Sequence, residues 1–391
     1  MLNIDGDDLA LVMSGGGARA AYQVGFLRCL AKHHQNIHFP ILTGVSAGAI
    51  NAAYLANESA TFREKADRLA DIWKNLTIEQ VYRADSPSVA RHVVSWGMRL
   101  LMGRASNTIK TRSLVDTQPL SDLLHDILHQ EKGRLLGVEK NILEGHLKAV
   151  AITASSYTTG RSVSWMQGKG IKPWERAHRK SVVADITVDH ILASASLPMF
   201  FPSVHVDGSW YGDGGIRLTA PLSPAIHLGG RRLLAISTRH IPDSHDMDDV
   251  SIDDYPPPAQ IIGNIFNAIF LDAFDNDALR LERINELIKR LPEEQRNELY
   301  PVRLLILRPS CDLGKLANQY EPELPKAFRF MTRGLGTKET RSNDLLSLIM
   351  FQPDYLRHLM DLGYADAEAR LGEIEAFINA PSEVWIPEYL P

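Results

Sequence analysis

The pentapeptide Gly44-Val45-Ser46-Ala47-Gly48 follows an apolar run and leads into a stretch of small residues. This is the G-x-S-x-G pattern of a serine held on a sharp strand-to-helix turn. Such a turn strains the serine backbone, and Gly44 and Gly48 relieve the crowding on either side. It also points the hydroxyl at a helix start, where free N–H groups favour negative charge. The chemistry this suits is nucleophilic attack on an acyl group. A second glycine cluster, Gly15-Gly16-Gly17-Ala18-Arg19, also follows an apolar run and opens a helical pattern. Consecutive glycines let backbone N–H groups converge on one anion. The loop lacks the Lys-Ser/Thr ending of an ATP-binding loop, and Ala20 stands where a dinucleotide loop would place its last glycine. An oxyanion hole facing Ser46 fits better, a device worth about 100- to 1000-fold in rate per donor. Arg19 is either a solvated helix residue or a group that braces this loop or steadies the anion.

A hydroxyl nucleophile needs a base. Asp213-Gly214-Gly215 ends a strand-like run, and its two glycines would let a carboxylate approach another loop closely. Asp213 is therefore the candidate partner of Ser46. Asp207-Gly208, between runs at 203–206 and 209–211, reads instead as a hairpin turn. Of the histidines after Asp213, His227 lies in an apolar run, while His240 and His245 flank an acidic loop. None of these, nor His358, stands in a catalytic setting. A Ser-Asp dyad is thus favoured over a triad.

The elements that must hold these residues form an α/β pattern. Strand, glycine turn and helix succeed one another from residue 8 to 33 and again from 40 to 55. Residues 60–131 read as helical. Further strands are expected at 147–154, 162–166, 203–206, 233–237 and 302–307. An apolar 3.6-residue stripe, Ile262, Ile265, Phe266, Ile269 and Phe270, predicts a core-packed helix. The chain divides into a catalytic body over 8–226 and a mostly helical extension over 227–391, whose strands near 235 and 305 return to the same sheet.

Composition sets the outer limits. With 391 residues, 45% hydrophobic, there is ample material for a large core. A net charge of -5 argues against nucleic-acid binding, which needs clustered cations. The two cysteines, Cys29 and Cys311, form no CxxC or Cys/His spacing, so neither a disulfide framework nor a zinc site is expected. The acidic start lacks a signal-peptide pattern, and no 18-residue apolar run occurs. A reduced, cytoplasmic setting follows, with contact at the inner membrane face left open.

Taken together, SGGGARAAYQVG at 14–25, GVSAG at 44–48, ASASLPMFFPSV at 193–204 and DGG at 213–215 resemble the patatin-like phospholipase family. The stretch SNDLLSLIMFQPDYLRHLMDLGYADA at 342–367 is similar to bacterial members. One departure is Ala20, where the family's loop usually has glycine after the arginine. The resemblance implies a three-layer α/β/α fold with a largely parallel sheet. It implies hydrolysis of phospholipid, lysophospholipid or neutral-lipid esters without a metal or other cofactor. Carried over, Ser46 is the nucleophile and Asp213 its base, with the N–H groups of Gly15, Gly16, Gly17 and Ala18 around the oxyanion. The N–H of Ala47 adds to them, and Asp213 is expected to be desolvated so that it is basic enough. Residues 93–102, flanked by Arg91, Arg99, Arg104, Lys110 and Arg112, have the composition of an interfacial segment, though core packing is the commoner use. The Asp-rich loop 243–254 lacks the ordered spacing of a calcium loop. The alternatives are a thioesterase or general carboxylesterase, or a non-catalytic lipid-binding protein on the same fold.

Overall fold

The computed structural model describes residues 8–83, 113–241, 257–270, 273–296, 299–324, 329 and 343–379. The segment 93–102 with its flanking cations, His245 and the Asp-rich loop 243–254 lie outside the described residues.

The core is a mixed sheet whose parallel centre comprises β1 (Leu9–Met13), β2 (Ile41–Val45), β5 (Ala149–Ser156), β11 (Arg232–Ile236) and β12 (Arg303–Leu307). They run in the order β12-β11-β1-β2-β5, every neighbour parallel. Their residues are almost all buried, as a sheet covered on both faces requires. Side chains alternate between the two faces. Leu9, Leu11 and Met13 enter one core with helices α1 (Ala20–His33), α2 (Ala47–Asn57) and α3 (Phe62–Asn75). Ala10 and Val12 enter the other, with Phe274, Ala278 and Leu281. The result is three layers, helix, sheet and helix.

Beyond β5 the sheet becomes mixed. β6 (Ser162–Gly168) pairs antiparallel with β5, and β8 (Arg179–Val183) extends it, with β7 (Glu175–Arg176) at the edge. Sequence reading gave no strand at 175–183. The segment is rich in charge, which the exposed rim of a sheet tolerates. The short strands β3 (Gln130–Glu131) and β4 (Arg134–Leu135) form a separate hairpin, so the helical reading of 60–131 fails at its end. Before it come α3, α4 (Ile78–Val81) and α5 (Gln118–Ile127).

A hairpin of β9 (Val204–Val206) and β10 (Ser209–Gly212) turns at Asp207 and Gly208, with φ of 45° and 76°. Two consecutive positive φ values give the twist that tight hairpins favour. β10 then pairs antiparallel with the far end of β5, Gly212 opposite Ser155. On that same edge β2 ends with Val45 opposite Thr153. β6 fills the other edge as far as Ser155. β2 and β10 therefore approach each other head-on along β5, and the next residue of each is Ser46 and Asp213.

The chain continues through α6 (Leu136–Leu143), α7 (Val188–Ser194), α8 (Ser223–His227), α9 (Pro258–Phe270) and α10 (Ala273–Arg290). After β12 follow α11 (Leu313–Tyr320), α12 (Asp344–Ile349), α13 (Pro353–Ala369) and α14 (Leu371–Asn379). The region past 226 thus supplies two strands and many helices. α13 crosses α1 with almost no space between backbones. A Cβ on Gly25 would lie 1.8 Å from the Met360 carbonyl oxygen, and one on Gly363 would lie 2.0 Å from that of Tyr22. The stripe on α9 is only partly core. Phe266 is buried and Ile262 and Ile269 are half-buried, but Ile265 is 52% exposed.

Candidate active site

Ser46 has φ 56° and ψ -132°, a left-handed conformation unusual for a residue with a side chain. Three features impose it. A Cβ on Gly44 would meet the Gly48 carbonyl oxygen at 2.3 Å, and one on Gly48 would meet that of Ser14 at 2.4 Å. The turn is therefore closed by backbone against backbone, which only glycine permits at both positions. The third feature is Ser194, whose hydroxyl accepts from the Ser46 N–H at 2.9 Å and donates to the Thr153 carbonyl at 2.6 Å.

Ser46 Oγ donates to Asp213 Oδ2 at 2.6 Å. The other carboxylate oxygen accepts from the Gly215 N–H at 2.9 Å, and the Asp213 N–H donates to the Ser196 carbonyl at 2.9 Å. Gly214 lies where a Cβ would be 2.1 Å from the Thr153 oxygen, so this loop is pressed onto β5. Ser194 and Ser196 together align both members of the pair. Their segment was quoted above for its resemblance without any role. A signal was present in the alternation of serines at the end of α7 and just beyond it.

Asp213 is fully buried, and Ser46 is 5% exposed. Burial raises the Asp213 pKa from 3.8 to about 7, against the opposing hydrogen bonds from Ser46 and the Gly215 N–H. Burial wins because ionisation must surrender hydration that two hydrogen bonds do not replace. A carboxylate near pKa 7 is a far better base than an ordinary one, and about half of it is ionised at neutral pH.

The glycine loop reaches Ser46 from β1. A Cβ on Gly15 would sit 3.0 Å from Ser46 Cβ, so the two turns touch. Among the described residues no acceptor takes the N–H groups of Gly15, Gly16 or Ala47. Gly17, with φ 54°, lies against α12, and Ala18 is fully buried at the start of the short helical turn Gly17–Arg19.

Arg19 is only 3% exposed, so the solvated reading is wrong. Its Nε donates to Ser347 Oγ at 2.6 Å and its terminal nitrogen to Asp344 Oδ1 at 2.5 Å. Asp344 Oδ2 accepts from Asn267 at 2.6 Å. The guanidinium thus ties the glycine loop to α12. Asp344 and Ser347 were not identifiable in advance, since they stand 325 and 328 residues from Arg19.

Beside Ser46 an apolar pocket runs beneath α3 and α5. Ile50, Ile72, Trp73, Leu123, Leu124 and Phe351 contribute to its walls. Its free interior is narrow, about 50 Å³. A narrow hydrocarbon slot ending at a buried hydroxyl suits the chain of an acyl group.

The late histidines among the described residues are engaged elsewhere. His227 stacks on Trp174, His240 Nδ1 lies 3.0 Å from the Pro309 carbonyl, and His358 Nδ1 lies 2.7 Å from Tyr320 Oη. One constellation differs from the expectation of no Cys/His cluster. Cys29 and His33, a turn apart on α1, meet Glu368 of α13, with ligand atoms within 4.8 Å of one another. Sequence spacing could not show it because the third residue arrives from a distant helix. Its groups are satisfied as they stand, since the thiol and the imidazole both contact Glu368 Oε2, at 3.2 and 2.9 Å.

With this geometry in view, comparison with known proteins gives one family match. A profile described as patatin-like phospholipase matches residues 11–226. Curated proteins yielded no match. Among solved structures, VipD from Legionella pneumophila is 13% identical over 94% of this chain and 67% of its own, with a TM-score of 0.38. Human GIVD cytosolic phospholipase A2, in complex with methyl gamma-linolenyl fluorophosphonate, is 13% identical over 95% of this chain and 58% of its own, at 0.46. The type III effector ExoU, which other structures place in Pseudomonas aeruginosa, is 14% identical over 95% and 54%, at 0.36. This chain therefore spans between about half and two thirds of these proteins' lengths.

Proposed function

Because the chain belongs to the patatin-like phospholipase family, we propose that it hydrolyses fatty-acyl esters of lipids, with Ser46 as nucleophile and Asp213 as base. The observation that carries this reading is the 2.6 Å hydrogen bond between Ser46 Oγ and the buried Asp213 carboxylate, at the mouth of an apolar pocket.

The steps follow from the groups present. Asp213 takes the hydroxyl proton as Ser46 Oγ bonds to the ester carbonyl carbon. The carbonyl oxygen becomes an anion and accepts hydrogen bonds from the glycine loop, Gly15 and Gly16 foremost, with Gly17, Ala18 and Ala47 at its border. Collapse breaks the ester C–O bond. The alcohol or lysolipid leaves with the proton from Asp213, and the acyl group remains on Ser46. Asp213 then takes a proton from water as its oxygen attacks the acyl carbon, which releases the fatty acid and restores the serine. Arg19 serves as loop support, along with Gly44, Gly48, Gly214 and Gly215. An apolar slot of this kind favours long acyl chains, which exist mainly in membranes or micelles, so a lipid surface is the working partner. Among the described residues no helix is long and apolar enough to cross a membrane, in keeping with contact from one side.

The test is direct. Wild type and Ser46→Ala are incubated with a fluorophosphonate probe, then with a phospholipid, a lysophospholipid, a neutral-lipid ester and a thioester. Labelling and hydrolysis by wild type alone support the reading. A mutant that labels and hydrolyses equally well overturns it.

A further inference from the structure

Four peptide groups, from Ser14 to Ala18, decide where the N–H donors of the glycine loop point. A peptide unit is planar and trans, so its C=O and N–H point in opposite directions. Anchoring a carbonyl on one side therefore aims the following residue's N–H at the other. We propose that Gln23 and Thr238 are positioning residues that aim the Gly15 and Gly16 N–H groups at the reacting carbonyl oxygen; this rests on the acyl-hydrolase reading above.

The Ser14 carbonyl accepts from Gln23 Nε2 at 2.8 Å, and the N–H in that unit belongs to Gly15. The Gly15 carbonyl accepts from Thr238 Oγ1 at 2.7 Å, and the N–H in that unit belongs to Gly16. The register of β1 and β11, Met13 opposite Ile236, carried two residues further, places Thr238 beside Gly15. The Thr238 N–H also donates to Ser14 Oγ at 3.2 Å, which locks the two strand ends together. Gln23 and Thr238 are both 0% exposed, so water offers no substitute donor, and the other donor to the Gly15 carbonyl, Ser14 Oγ, lies further off at 3.2 Å.

The anchors matter because glycine units turn easily. Gly16 and Gly17 have φ of 147° and 54°, where only glycine is comfortable. Without a carbonyl anchor, rotation of one such unit exchanges the N–H for a C=O facing the oxyanion, which turns a favourable dipole into a repulsive one. Thr238 also sits where a Cβ on Gly16 would be 2.5 Å from its hydroxyl, so it fills the space into which the loop would relax.

The direction of the Gln23 amide is itself fixed. Its oxygen accepts from Asn51 Nδ2 at 3.0 Å, and Asn51 Oδ1 accepts from Trp73 Nε1 at 2.9 Å. An indole N–H can only donate, so the order of donors and acceptors runs one way from Trp73 to the Ser14 carbonyl. Trp73 lines the apolar pocket. The wall that holds the acyl chain and the loop that holds its carbonyl oxygen are thus parts of one hydrogen-bonded chain.

The test uses Thr238→Val, which keeps the shape and removes the hydroxyl, and Thr238→Ser, which restores it. Thr238→Val should lower kcat on an acyl ester by about 10- to 100-fold, less than the loss of an oxyanion donor outright. KM should stay within about 3-fold, and the pH midpoint of kcat/KM, set by Asp213, should not move. Thr238→Ser should recover most of the rate. A folded Thr238→Val with wild-type kcat overturns the inference and leaves the hydrolase reading intact. So does a rate that Ser fails to restore, or a change confined to KM. If Thr238→Val does not fold, Thr238→Ala takes its place, and if that too is unfolded the residue is structural and the proposal falls. A wild type that neither labels at Ser46 nor hydrolyses any ester overturns both readings.

Discussion

Replacing Asp213 by Asn should make the protein more stable above neutral pH while abolishing hydrolysis. The reasoning starts from burial. Asp213 is 0% exposed, and its pKa rises from 3.8 to about 7 in the folded chain. The folded state therefore holds the proton more tightly than the unfolded state does. The stability this confers is fully present below about pH 4. It declines as the unfolded chain ionises first, and is gone once pH passes about 7. A shift of about three units corresponds to about 4 kcal/mol in total, of which about 3 falls between pH 5 and pH 8. Asn carries no charge to desolvate. Its oxygen can accept from Gly215 and its amide can donate to Ser46, so the pair of contacts around it survives. The excess stability of Asp213→Asn over wild type should grow by about 3 kcal/mol from pH 5 to pH 8 and then level off. Calorimetric or far-UV melting at a series of pH values measures it, with both proteins in the same buffers. A difference that stays flat, or that shrinks as pH rises, would refute a buried, proton-hungry carboxylate at this position.

Three further outcomes are expected. Asp344→Ala strands the nearly buried Arg19 guanidinium and should cost about 3 kcal/mol in urea unfolding, with Asp344→Asn recovering part of it; equal stability of all three proteins would mean the clamp carries no weight. Gly17→Ala puts a methyl 2.0 Å from the Leu348 carbonyl oxygen at a φ of 54°, so it should destabilise by about 1–3 kcal/mol and suppress fluorophosphonate labelling of Ser46. Ile72→Trp narrows the pocket and should cut hydrolysis of long-chain esters at least about 10-fold while leaving an acetyl ester within about 3-fold; parallel losses for both chain lengths would argue that the pocket does not hold the acyl chain.

Local features were legible where one short segment encodes its own turn. Ser46 and the glycine loop could be read because a strained turn admits few residue types. The β9–β10 hairpin could be read because Asp207-Gly208 has its own backbone chemistry. Asp213 was found as a carboxylate between glycines at a strand end, but its 2.6 Å approach to Ser46 depends on two strands sharing one edge of β5. No local pattern contains that. The Arg19 clamp was open for the same reason. Strands β8 and β7 at the rim of the sheet were missed because charge near an edge resembles charge in a loop. Cys29, His33 and Glu368 meet only through the helix crossing at Gly25 and Gly363.

The head-on meeting of β2 and β10 also orders events during synthesis. Ser46 leaves the ribosome 167 residues before Asp213. At roughly 5–20 residues per second, it waits on the order of ten seconds or more for the carboxylate. Asp344, which steadies the loop beyond Arg19, follows 325 residues after that arginine. A nascent chain therefore carries the Ser46 hydroxyl before the carboxylate it pairs with in the folded protein. On the proposed dyad, an unfinished chain would lack both the base and the docked support of the glycine loop until the final helices arrive.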